Sequence, residues 1–74
     1  MDIMKRLSKA KTALVLEHPF FGAIALGMPS VIDYNIPTAC TNGKLIRYNP
    51  VFVNGLTDGN IVFLMAHECF HPML

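Results

Sequence analysis

Apolar residues along this chain change their spacing several times, and each change marks an element. In residues 2–17, Ile3, Leu7, Ala10 and Leu14 recur at intervals of three and four, with lysines and Arg6 between them. That spacing predicts a helix with one buried stripe. Pro19 biases His18 away from helix and ends it there. Residues 20–27 form a second apolar segment, read as a short helix closed by Gly27-Met28-Pro29, and residues 30–36 read as irregular or extended. The β signal is clearest in residues 38–41 and 44–48 around Asn42-Gly43, a pairing that predicts a hairpin because both turn residues accept positive φ. Leu45 and Arg47 share one face of the second strand, with Lys44, Ile46 and Tyr48 on the other, so the pattern leaves the core face open. Asn49 is a helix cap with Pro50 at the first helical position, and Gly55 stops that helix. Thr57 caps a last helix with Asp58 at its positive end. Residues 61–66 of that helix are apolar on every side, which predicts that the core covers it all round. The succession is α+β: N-terminal helices, a β-hairpin and a C-terminal helix, in one domain over residues 1–74.

The last helix also carries the chain's chemistry. It reads His67-Glu68-Cys69-Phe70-His71, an HExxH pattern followed at once by Pro72. Helix positions four apart lie one turn above each other, so His67 and His71 can aim two imidazoles at one point. Zinc needs that arrangement from its first two protein ligands. Glu68 sits one residue round, placed to take a proton from a metal-activated water rather than to ligate. The plain alternative is a buried helix end carrying two incidental histidines. Pro72 predicts that the helix ends at His71. A catalytic zinc takes a third protein ligand. The candidates within the chain are His18, Glu17, Asp33, Asp58 and Cys40, of which Cys40 would favour a closed structural site.

Composition adds a constraint on size and partners. The 74 residues are 53% hydrophobic and only 15% charged. A free-standing domain this small carries more surface charge, so a further segment or a partner chain is expected to cover apolar surface. The net charge of +1 gives no reason to expect a nucleic-acid or membrane partner. Lys5, Arg6, Lys9 and Lys11 read as the wet side of the first helix. Cys40 and Cys69 form no CxxC pair and read as free buried thiols of a cytoplasmic protein.

Taken in order, residues 11–71 resemble a metallopeptidase domain of bacteria and phages that usually precedes a von Willebrand A-like region. The matching stretches are His18-Pro19-Phe20-Phe21-Gly22, Ile36-Pro37-Thr38-Ala39, and Thr41-Asn42-Gly43 running into Ile46-Arg47-Tyr48-Asn49-Pro50. Phe52-Val53, Leu56-Thr57 and Phe63-Leu64-Met65-Ala66-His67-Glu68 through His71 follow. The resemblance implies a zincin-like fold with a small sheet beside the site helix. It also implies His67 and His71 as zinc ligands, Glu68 as general base, and a peptide or protein substrate aligned on an edge strand in residues 36–41. Gly59 and Asn60 depart from the family's acidic helix formers. The rest of the family's site lies downstream, so the chain is expected to be an N-terminal fragment of the full domain. The competing expectation is a truncated, non-catalytic remnant that binds a partner or packs in a larger assembly. A small structural zinc module is a third.

Overall fold

The computed structural model describes residues 2–71. Four helices and a three-stranded sheet follow one another as α1 (Ile3–Glu17), α2 (Pro19–Leu26), β1 (Ser30–Ile32), β2 (Ala39–Thr41), β3 (Ile46–Tyr48), α3 (Pro50–Asn54) and α4 (Asp58–Phe70). This is the α+β arrangement expected from the sequence.

Three of the four helices, α1, α3 and α4, start where short polar side chains accept orphan backbone donors. Asp2 accepts from the Met4 and Lys5 amides at 3.0 and 3.3 Å. Asn49 accepts from Val51 and Phe52 at 2.8 and 3.3 Å, and its amide nitrogen donates to the Ile36 carbonyl at 2.7 Å. That second bond ties the approach to β2 onto the start of α3. Thr57 Oγ1 accepts from the Asn60 amide at 3.2 Å. His18 closes α1 through its backbone, donating N–H to the Leu14 carbonyl at 2.8 Å.

The sheet order is β1-β3-β2. β1 pairs parallel with β3, Ser30 opposite Ile46 and Ile32 opposite Tyr48. β2 pairs antiparallel with β3, Ala39 opposite Tyr48 and Thr41 opposite Ile46. The stretch read as irregular or extended thus supplies an edge strand, and β3 inserts between two earlier strands. The hairpin differs from the two-residue turn in the sequence reading. With Thr41 opposite Ile46, four residues form the loop, and only Gly43 has positive φ, at 88°. Asn42 instead accepts the Lys44 and Leu45 amides on its side chain, at 2.9 and 3.1 Å, and Thr41 Oγ1 donates to the Leu45 carbonyl at 2.8 Å. Local side-chain bonds of this kind outcompete the tighter turn.

The core settles the open question of β3's face. Ile46 and Tyr48 are buried against Leu7 and Leu14 of α1 and Ile61 and Met65 of α4. Each buried aliphatic side chain contributes roughly 1.5–3 kcal/mol. Two expectations fail here. α4 is not covered all round: Ile61 and Met65 are sealed, but Phe63 is 74% exposed on the opposite face. Cys40 is exposed, because the outward residue of a three-residue edge strand has nothing packed over it. Among the described residues, no helix is long and apolar enough to cross a membrane.

Arg6 locks the site helix to the N-terminus. Its guanidinium donates to the Leu56 carbonyl at 2.8 Å and Asp58 Oδ1 at 2.9 Å, and to the Val53 and Asn54 carbonyls at 3.4 Å. The Arg6 side chain is only 12% exposed. Arg6→Met keeps the apolar stem and strands these acceptors, so it should cost about 2–3 kcal/mol in denaturant unfolding. The Arg6 hydrogen bond, followed by the charge of Lys9 3.7 Å away, holds the Asp58 carboxyl below the usual carboxylate range. Because the folded value is depressed, this contribution is present above the unfolded carboxylate range and is lost as pH falls through the folded value.

Candidate metal centre on the last helix

Helical spacing does what the sequence predicts at the end of α4. His67 and His71 lie one turn apart, and their Nε2 atoms approach to 3.0 Å, with ring centroids 4.5 Å apart. α4 ends at Phe70, and His71 follows as its cap with φ −57° and ψ −47°, still nearly helical. The second imidazole therefore keeps helical register although regular helix has stopped. Both rings sit at the negative end of the helix dipole, which favours a bound cation. The expectation about Pro72 concerns a residue outside those described.

Glu68 occupies different ground. Four α4 side chains are buried: Ile61, Met65, Glu68 and Cys69. Glu68 lies at the margin between that core face and the exposed face of the two histidines, and is 4% exposed. One carboxylate oxygen lies within 4.8 Å of the imidazole nitrogens. Oε1 is sealed from solvent and has no hydrogen-bond partner among the described residues. A buried carboxylate oxygen without a donor is costly, so an unpaired one calls for an explanation. The Tyr48 hydroxyl, which the sequence reading treated only as part of a strand face, is the other such atom. Alternation along β3 carried the signal, but it needed the fold to show which face turned inward. Burial first, then the neighbouring Cys69 and Glu68, pushes the Tyr48 phenol far up, so it remains protonated and a donor. Burial also raises the Cys69 thiol.

The surroundings are asymmetric. On the α3 side, Phe52, Leu56, Phe63, Leu64, Asn60 and His67 line an apolar groove of about 310 Å³. On the other, His71 shares a depression with Thr41, Asn42 and Gly43 of the hairpin loop. Among the described residues, His67, Glu68 and His71 form the one cluster of three potential metal ligands. His18, Glu17, Asp33, Asp58 and Cys40 do not join it. The donor set fits a first-row metal: with Zn–N near 2.0–2.1 Å, tetrahedral ligation sets the two nitrogens about 3.3 Å apart, close to the 3.0 Å seen.

An α+β fold thus presents a histidine pair beside a buried carboxylate at the end of its last helix. Residues 3–74 match the family described as "Putative metallopeptidase domain", and the chain belongs to that family. No curated protein and no solved structure matches the chain. Membership associates the chain with a metal and, in coarse terms, with peptidase-like function.

Proposed function

We propose that this chain carries the first two ligands and the general base of a zinc peptidase site. The observation that carries the reading is the 3.0 Å convergence of the His67 and His71 Nε2 atoms. His67 and His71 hold the metal, and a third ligand comes from a further segment or partner chain. Zinc held there would supply Lewis acidity. Glu68 would take a proton from a water at the site and return it to the leaving amine. Its seat beside the core restricts water around the carboxylate and holds it next to the imidazoles. β2, at one edge of the sheet, pairs with the peptide backbone, and its Thr41 shares a depression with His71.

Metal content of the purified chain tests this. About one zinc per chain is expected, lost in His67→Ala and in His71→Ala while both variants stay folded. Folded protein that takes up no zinc through His67 and His71 overturns this reading. The exposed Phe63 and Phe70 favour the second reading in that event: a non-catalytic domain that packs these aromatics against a partner.

A further inference from the structure

Two buried polar atoms, one on β3 and one on α4, have no hydrogen-bond partner among the described residues. Tyr48, at the end of β3, is fully buried, and its hydroxyl has no acceptor among the described residues. Glu68 Oε1 is equally sealed and has no donor. The two are chemically complementary: a phenol has one proton to give, and a carboxylate oxygen only accepts. Tyr48 packs in the same core cluster as Cys69, the residue after Glu68. Burial first, then Cys69 and Glu68, raises the phenol, which keeps it a donor. Left apart, each atom bears the cost of a lost hydrogen bond in a low-dielectric interior. The terminal torsion of glutamate is broad and low in energy, so turning the carboxylate plane costs little.

We propose that Tyr48 is a positioning residue for Glu68, donating its phenolic hydrogen bond to Oε1 and so fixing the carboxylate plane with its second oxygen toward the histidines. The bond joins the central strand of the sheet to the site helix. It neutralises none of the carboxylate's charge, so Glu68 keeps an oxygen free to accept a proton. The role as positioner rests on Glu68 being the base, whereas the hydrogen bond itself does not.

A double-mutant cycle in the metal-free 74-residue chain tests the bond. Tyr48→Phe should lower the melting temperature by about 5 °C or more, because it strands a buried carboxylate. In a Glu68→Met background, where no acceptor remains, the same change should leave it nearly unmoved. Equal shifts in the two backgrounds overturn the proposal. Proton NMR of the unsubstituted chain gives a second reading that needs no stable variant: a slowly exchanging, downfield Tyr48 hydroxyl resonance is expected, and a rapidly exchanging one overturns the bond. In protein competent for hydrolysis, Tyr48→Phe should reduce kcat by about 10–100-fold with KM and metal content unchanged. Unchanged kcat beside an intact coupling would leave the bond and remove its role. The cycle is read without metal, so its failure is distinct from a failure to bind zinc or cleave peptide.

Discussion

Glu68→Gln retains zinc and loses peptide hydrolysis, with kcat falling by about 10²–10⁴-fold. The substitution keeps the side chain's length and volume at a site 4% exposed, so packing is preserved and only basicity is removed. Neither imidazole ligand is touched, so metal content measured beside activity separates this outcome from loss of the centre. A variant that loses both metal and activity would place Glu68 among the ligands. A variant that keeps full activity would exclude it as the base. The comparison belongs in protein whose third ligand is supplied, with His67→Ala alongside as the metal-free control.

Gly22→Ala should destabilise the fold by about 2 kcal/mol, lowering the melting temperature by roughly 10 °C for a domain of this size. Gly22 lies in α2 where that helix crosses α1. A Cβ there would collide with Val15 Cα and sit 2.8 Å from the Val15 backbone nitrogen. Backbone cannot rotate away as a side chain can, so the helices must separate. Alanine's better helix propensity recovers only about 1 kcal/mol of the cost. Gly27→Ala is the matched control: its Cβ would meet only the Ile24 carbonyl oxygen, at 3.5 Å. Equal thermal shifts in the two variants would remove the close-approach explanation.

Local signals in the sequence proved the most legible. Asn49 with Pro50, and Thr57 with Asp58, announce helix starts because caps act within three residues. The geometry of His67 and His71 was readable for the same reason, since one helical turn fixes it. Pairing across long separations was not readable. Nothing near residues 30–32 says that they will lie parallel to residues 46–48, because the partner decides the strand. β3's inward face needed α1 and α4 in place, since Ile46 and Tyr48 share their alternation with Lys44. The apolar run in α4 was misread as covered all round. Composition reports hydrophobicity but not which neighbours exist, and Phe63 has none over it. Glu68's seat at the edge of the core, and the burial of the Tyr48 hydroxyl, depend wholly on tertiary packing.

The two cysteines have unlike surroundings: Cys40 stands exposed on an edge strand, and Cys69 is sealed two residues before the end of the helical site. Thiol chemistry therefore gives the molecule an internal clock. A disulfide reagent consumes Cys40 at the rate of an open thiol, while Cys69 reacts only when α4 lifts from the sheet. The ratio of the two labelling rates measures how often the helix bearing both imidazoles comes away, in the same tube and with a single reagent.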